Sequence, residues 1–255
     1  MKKVIFFIAL FFSFHNTQSQ VLMSLIFGDK LNSPNIEFGL EGGANFSTIS
    51  NLDNADHRTD FNLGFYFDFN LKNPSWIFNT GVIVKSTMGA NGIDVYSLND
   101  EKLDAVFAEG SIKRQIQYFN VPLMIKYKFH NNIYLKAGTQ LGLLSRAYDE
   151  FHQNYGGEDV EYKNNIREKI HVVDAGLAVG LGYRLKAGSG INLGLQYYYG
   201  LVPLLKGDVD QNQYNRSLYV TAGLPIGKGK AAKKAAEKKA AEKKALEEGT
   251  ALPKN

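Results

Sequence analysis

Hydrophobic and polar residues alternate with a period of two along most of the chain. The clearest case is 61–71, where phenylalanine or leucine occupies every odd position and asparagine, glycine, tyrosine or aspartate every even one. Side chains on a β-strand point alternately to the two faces of a sheet, so this pattern predicts a strand with one apolar and one polar face. The same alternation predicts eight strands, at residues 36–46, 61–71, 76–85, 119–129, 133–143, 173–184, 191–200 and 218–226.

The make-up of the polar face indicates which face lies inside. A soluble sandwich or lipocalin-like barrel also alternates, but its apolar face points inward and its polar face is rich in exposed charge. Here the polar face is rich in glycine with scattered charges of both signs, which is typical of the cramped interior of a small transmembrane barrel. Because buried charges need partners, we expect ion pairs inside the barrel and no open pore. The predicted lumenal charge network comprises Glu37, Glu41, Asp68, Lys85, Lys126, Lys128, Lys136, Asp174 and Arg184.

The connections between the predicted strands alternate in length. Those after even-numbered strands are short, at 72–75, 130–132 and 186–190, whereas those after odd-numbered strands are long and polar, at about 49–60, 89–113, 149–168 and 205–215. Outer-membrane barrels are threaded in this way, with tight periplasmic turns and longer outer loops. We therefore predict an all-β fold, an eight-stranded antiparallel up-and-down transmembrane β-barrel in the outer membrane, with both termini in the periplasm.

The N-terminal residues indicate export. Two lysines precede an apolar run over 4–14 and a small-residue site at 17–19, the layout of a cleaved secretory signal peptide. The apolar run reaches only about 16 Å as a helix, too short for a hydrocarbon core of ~30 Å. We predict a signal peptide at 1–19, a periplasmic segment at 20–34, the barrel at 35–226 and a tail at 227–255. Segment 20–34 is either a short periplasmic helix or the chain's approach to the first strand.

The overall charge of +4 is concentrated in the tail. Residues 227–255 carry nine lysines and four glutamates, and Lys2 and Lys3 lie in the predicted signal peptide, so the rest of the chain has a net charge of −3. A nucleic-acid partner is therefore not expected. The tail repeats KKAAE and is predicted to be helical; it is either a solvated periplasmic appendage or a basic strut for peptidoglycan, anionic lipid or an acidic partner. The lack of cysteine excludes disulfides and thiolate metal sites.

Two segments resemble a known family. Phe38–Ser47 (FGLEGGANFS) and Tyr118–Phe129 (YFNVPLMIKYKF) are similar to the opening strand and to the Pro-Leu strand of Bacteroidota-type outer-membrane β-barrel proteins of the PorT-like family. The resemblance extends over roughly 36–226. It implies a small outer-membrane barrel and does not imply the secretion role for which the family is named.

Candidate chemistry is sparse. Ser145 and His171 both have outward parity near the ends of predicted strands, and they are the one arrangement that resembles a nucleophile and a base. The loop at 149–168 carries five carboxylates, which are conceivable oxygen ligands for calcium but are more often solvated. We expect no metal, no cofactor and no catalytic residues.

These patterns predict a non-enzymatic structural or accessory component of the cell envelope. It would contact outer-membrane lipids and a possible envelope protein through its outer loops or its C-terminal tail. The alternative is a narrow channel or a barrel that binds a small ligand, and a remote alternative is a lipid-modifying enzyme.

Overall fold

A computed structural model describes residues 33, 35–52, 54–185, 190–207 and 211–226. The predicted signal peptide, nearly all of segment 20–34 and the tail from 227 onward lie outside the described residues. Residues 39–224 form one compact unit, and among the described residues outside it Ile226 N donates to Phe38 O at 2.9 Å. No helix among the described residues is long and apolar enough to cross a membrane.

Eight antiparallel strands form a closed ring. The strands are β1 (Ile36–Ser50), β2 (Arg58–Asn70), β3 (Trp76–Ile93), β4 (Ser111–Lys128), β5 (Ile133–Tyr155), β7 (Val173–Arg184), β8 (Asn192–Gly200) and β9 (Tyr214–Pro225), with β9 beside β1. A ninth strand, β6 (Glu158–Asn165), pairs with β5 alone. The predicted eight-stranded up-and-down fold is confirmed.

The apolar face of each strand points away from the ring. Leucine and valine side chains at alternate positions of β5 and β7 are about half exposed, for example Leu135 at 50% and Val179 at 56%, whereas Ala178 between such positions is 1% exposed. A soluble barrel would bury these side chains and expose the opposite face. The ring therefore has an apolar exterior suited to lipid and a polar interior.

Strands β3, β4 and β5 continue well beyond this apolar band, where their alternation inverts. Outward positions on β4 are apolar from Phe119 to Tyr127 but polar from Ser111 to Gln117, while the inward residues Ile112 and Ile116 are completely buried. The eleven residues from Phe119 to Phe129 span about 33 Å along the strand, or about 25 Å in height at a tilt of ~40°, which matches a membrane band. The part of β4 before Phe119 is thus built like a soluble sheet.

This extension corrects the prediction of long polar loops at 89–113 and 149–168. The first range contains the end of β3, a helix α1 (Glu101–Phe107) and the start of β4; the second contains the end of β5 and all of β6. The β5–β6 hairpin turns at Gly156 and Gly157, whose φ values of 63° and 85° fit a two-residue turn of the kind that favours glycine. Asp100 caps α1 by accepting from the backbone N–H groups of Lys102 and Leu103.

The extension has an apolar core of its own. Phe151 is 1% exposed and contacts the rings of Phe107 and Tyr96 at centroid distances of 5.7 and 5.1 Å. The same cluster buries side chains from β3, β4, β5 and the connections that follow β6 and β8, including Ile93, Ile112, Ile116, Leu144, Ala147, Ile166, Ile170 and Leu204. We call this end the long-loop end, and the opposite end, with connections at 71–75, 129–132 and 185–191, the short-turn end.

Candidate functional site

An ion pair lies in the interior of the ring toward the short-turn end. Lys126 Nζ on β4 donates to both carboxylate oxygens of Asp68 on β2, at 2.8 and 2.9 Å, and both side chains are 7% exposed. Asn79 Nδ2 also donates to Asp68, at 2.6 Å. The Lys126 ammonium lies 5.5 and 5.2 Å from the ring centroids of Tyr66 and Tyr134, so two aromatic faces stabilise the desolvated cation.

A second lysine is the direct cross-strand neighbour of Lys126. Lys136 on β5 is paired in register with Lys126 and is 6% exposed. Two ammonium groups on adjacent inward positions repel each other, and the charges of Glu41 and Asp68 offset that repulsion. Two cations and two anions therefore interact inside this part of the ring.

Neutral and acidic groups fill the interior toward the long-loop end. Asp174 on β7 accepts a hydrogen bond from Asn215 Nδ2 at 3.0 Å, and the same amide nitrogen lies 3.3 Å from the Tyr118 hydroxyl. Gln140 Nε2 donates to the Tyr219 hydroxyl at 3.4 Å. Gln196 Nε2 donates to Gln140 Oε1 at 3.3 Å, and Ser217 donates to Asn45. The Asn215–Tyr118 bond joins β9 to β4 on the opposite side of the ring, and the Gln140–Tyr219 bond joins β5 to β9, so interior side chains meet across the ring.

A small cavity lies between these groups and the ion pair. Its volume is about 10 Å³, and its walls include Glu41, Asn62, Gln196 and Tyr219. A single water molecule needs roughly 10–15 Å³ on the same measure. The cavity is therefore too small for a hydrated ion or an organic solute.

The charged residues predicted to lie in the lumen are found in several separate places in the structure. Glu41, Asp68, Lys126 and Lys136 come together as described, and Asp174 lies with Asn215 farther along the ring. Glu37 is buried, at 7% exposure; Lys128 and Arg184 are half-buried, and the Arg184 guanidinium lies beside Gly190. A functional role for this set as a network stays a prediction.

Lys85 does not belong to the interior. Its side chain is exposed and lies 5.9 Å from the ring centroid of Phe61, which is itself 50% exposed. The register of β3 against β4 shifts between Ile83 and Ser86, so a bulge changes which parity faces inward. Beyond the bulge even positions such as Ser86 and Met88 are buried. The assignment of Lys85 to the lumen was wrong because strict alternation was extended across this bulge.

Sequence reasoning missed the neutral partners of these charges. Asn79, Gln140, Gln196, Asn215 and the buried tyrosines supply much of the interior hydrogen bonding. They carry no charge, and tyrosine counts as apolar in a simple pattern. Their parity on the glycine-rich face was the signal that would have identified them.

A second buried ion pair holds the long-loop extension together. Arg114 Nε and Nη2 donate to the two carboxylate oxygens of Asp149, both at 2.8 Å, and the side chains are 8% and 0% exposed. The Tyr96 hydroxyl donates to Asp149 at 3.1 Å and accepts from Asn164 Nδ2 at 2.9 Å. Burial, and then the charge of Asp149, raises the pKa of Tyr96 to about 12. This pair was missed because Asp149 lies in a range predicted to be a loop, and Arg114 lies between the predicted loop 89–113 and the predicted strand 119–129.

An open polar groove of about 440 Å³ lies beside the hairpin. Its walls include Glu109, Lys113, His152, Asp159 and Glu161, and His152 Nδ1 lies 3.0 Å from Glu161 Oε1. The groove presents charges of both signs with hydrogen-bonding groups between them. Such a surface can hold a small polar ligand.

The other candidate chemistry is dispersed. Among the described residues no hydrogen bond joins Ser145 to His171; Ser145 O accepts from Arg167, and the His171 backbone donates to Leu204. The carboxylates of 149–168 are spread along the hairpin, where Asp149 pairs with Arg114 and Glu150 with Lys163. In the part of the chain that the structure describes, no three histidine, aspartate or glutamate side chains are arranged to hold a metal ion.

Comparison with known proteins identifies similar barrels. A family model described as outer membrane protein beta-barrel domain matches residues 18–206. Ail, the attachment invasion locus protein of Yersinia pestis, is 13% identical, with a TM-score of 0.37 over 75% of this chain and 99% of Ail. Neisserial surface protein A is 12% identical, with a TM-score of 0.32 over 74% of this chain and 96% of the neisserial protein. The outer membrane protein AlkL is 14% identical, with a TM-score of 0.35 over 76% of this chain and 92% of AlkL. No curated protein matches the sequence.

Proposed function

This chain belongs to the outer membrane protein β-barrel domain family, and from that premise we propose that it is a closed, non-enzymatic accessory component of the cell envelope. It docks a partner protein through its long-loop end. The long-loop end faces the cell exterior and both termini face the periplasm, as is usual for barrels threaded in this way. The likeness of Tyr118–Phe129 to the Pro-Leu strand supports the finer assignment to the PorT-like group.

The filled interior is the observation that carries this proposal. The Asn215–Tyr118 hydrogen bond joins β9 to β4 on the opposite side of the ring, and the Asp68–Lys126 pair links β2 to β4. The cavity lined by Glu41 and Tyr219 holds one water at most. Opening a path would require breaking buried charge-assisted hydrogen bonds, each worth about 1.5–3 kcal/mol. A permanent channel is therefore disfavoured, and the ring acts as a rigid anchor for what it carries.

The extension supplies the docking surface. Its sheet is supported by an apolar core and the Arg114–Asp149 pair, so its outer residues are held in place before any partner binds, which lowers the entropic cost of association. Tyr155 and Tyr162 on the β5–β6 hairpin are 58% and 38% exposed. Tyrosine is enriched at protein interfaces because it offers a large contact area and one polar group.

Site-specific photo-crosslinking in the native outer membrane tests the docking proposal. A photoreactive phenylalanine analogue replaces Tyr155 or Tyr162, and matched controls carry it at the exposed band positions Val179 and Leu195. We expect a single protein adduct from the hairpin positions and none from the controls. Failure of both hairpin positions to crosslink, with the barrel folded, would refute docking through this end.

Planar-bilayer recording of the full chain tests closure separately. We expect no stepwise conductance above the bare bilayer. Reproducible ohmic steps would favour the narrow channel instead.

A small-ligand binder is the second candidate, and the 440 Å³ groove beside His152 and Glu161 favours it. Calorimetric titration with zwitterionic amino acids and sugars, compared between the native chain and Glu161→Gln, would detect such a ligand.

The enzyme alternative is tested by His171→Ala. An altered lipid A or phospholipid profile in cells carrying this variant would overturn the non-enzymatic assignment.

A further inference from the structure

A β-bulge on β5 turns two consecutive polar residues outward at the edge of the apolar band. Gln117 pairs with Arg146 and Tyr118 with Leu144, so Ser145 has no opposite residue on β4. Leu144 and Ala147 on either side are buried, at 3% and 0% exposure, while Arg146 is exposed. The bulge therefore presents Ser145 and Arg146 together on the outer surface.

A second arginine is fixed against the same bulge. Arg167 begins the short 3₁₀ helix Arg167–Lys169 between β6 and β7. Its Nε donates to Ser145 O at 3.2 Å, and its backbone N–H donates to Asn165 Oδ1 at 3.0 Å. The guanidinium of Arg167 is thus held next to the residue that precedes Arg146.

Neither arginine has a carboxylate partner among the described residues. Ion pairs are present at Arg58, Arg114, Lys126 and Lys163, but none involves Arg146 or Arg167. Two like charges at one place repel each other unless an anion lies between them.

The apolar band begins directly beside these cations. Leu143 pairs in register with Val173, and these side chains are 53% and 52% exposed, with Val172 at 43%. This is the depth at which lipid head groups meet acyl chains, and basic residues at that depth attract anionic lipids.

The same boundary carries cations elsewhere on the ring. Arg216 on β9 lies 3.6 Å from the ring centroid of Tyr199 and 5.5 Å from that of Tyr214. Lys85 lies over Phe61. Cations backed by aromatic rings are thus a feature of this boundary, and at the bulge Arg167 is bonded to the residue that precedes the exposed Arg146.

We propose that Ser145, Arg146 and Arg167 form a binding site for the phosphate of a lipid head group. Guanidinium groups bind phosphate through paired, charge-assisted hydrogen bonds, and the Ser145 hydroxyl offers a further donor. The exposed side chains of Leu143, Val172 and Val173 contact the acyl chains. Because the long-loop end is proposed to face the exterior, the lipid is a phosphorylated glycolipid of the outer leaflet; this choice of leaflet rests on the proposed function, whereas the phosphate site does not.

Native mass spectrometry of the full chain in detergent micelles, titrated with defined lipids, tests the site. The probes are lipid A, its dephosphorylated form, phosphatidylglycerol and inorganic phosphate. We expect Arg146→Gln/Arg167→Gln to weaken lipid A binding by roughly tenfold or more. The matched control Lys72→Gln/Lys102→Gln removes the same charge from the short-turn end and from α1 and should change binding less than about twofold. Heat-modifiable migration on gels confirms that each variant is folded, and Arg146→Lys/Arg167→Lys, which keeps both charges, should lose only part of the affinity.

Each outcome bears on the proposal. The proposal would be overturned if lipid A bound equally well with and without its phosphates, or if the arginine variant and the control lost affinity equally. It would also be overturned if inorganic phosphate bound as tightly as lipid A. Arginine-dependent binding of phosphatidylglycerol in preference to lipid A would support the phosphate site while contradicting the proposed orientation.

Discussion

Replacing Arg114 with methionine tests whether the buried ion pair stabilises the long-loop extension. The substitution removes both charge-assisted bonds to Asp149 and leaves a carboxylate that is completely buried, with only the Tyr96 hydroxyl as a donor. Breaking a buried pair on one side costs about 3–5 kcal/mol, because the remaining charge stays desolvated. Replacing both partners with apolar groups removes that charge, so Arg114→Met/Asp149→Leu should recover most of the loss.

Hydrogen exchange of the backbone amides of β4 and β5 in the extension measures this effect without unfolding the membrane ring. A loss of about 3–5 kcal/mol predicts exchange that is roughly a hundredfold to a few thousandfold faster. Lys163→Met is the matched control, because its pair with Glu150 is partly exposed and should be worth less than about 1 kcal/mol. Exchange in Arg114→Met within fivefold of the native chain, or a double variant no more protected than the single one, would refute the reasoning.

Two further predictions concern close packing and ionisation. A Cβ added at Gly43 would lie 1.9 Å from Val220 O at the junction of β1 and β9, so Gly43→Ala should destabilise ring closure by about 1–3 kcal/mol. In the control Gly42→Ala the nearest contact of the added Cβ would be 3.4 Å away, so this variant should fold like the native chain. Equal melting temperatures of the two variants on heat-modifiability gels would contradict this prediction. Because the pKa of Tyr96 in the folded chain is raised to about 12 from an ordinary value of 10.0, the stability that its neutral form provides is complete below pH 10 and is lost as pH rises through about 12. Absorbance titration near 295 nm should therefore find one fewer tyrosine ionising near pH 12 in Tyr96→Phe, and identical titrations would show that this tyrosine is not the one perturbed.

The sequence predictions were accurate for the parts of the strands that face lipid and inaccurate for the parts that extend into water. Between Phe119 and Tyr127 the apolar side chains face lipid on every second residue, and the period-two pattern identified this stretch. Before Phe119 the apolar positions move to the inward face, at Ile112 and Ile116, because water replaces lipid outside. The pattern therefore changed parity within one continuous strand, and the predicted strand ended where the membrane ends. The Gly156-Gly157 turn between alternating residues was the local sign that the next segment is a hairpin.

The sequence by itself determined the strand faces that lie in the membrane, because a residue's side of a strand depends only on its parity, and lipid selects one side. It also determined which strands are neighbours across the three short connections, since short connections leave antiparallel strands side by side. Tertiary structure alone decided which charges meet. Asp68 and Lys126 are 58 residues apart and pair because the register of β2, β3 and β4 brings them to one height. Lys85 and Arg146 face outward because bulges reverse parity locally, and a bulge reflects how two strands fit together, which neither strand encodes alone.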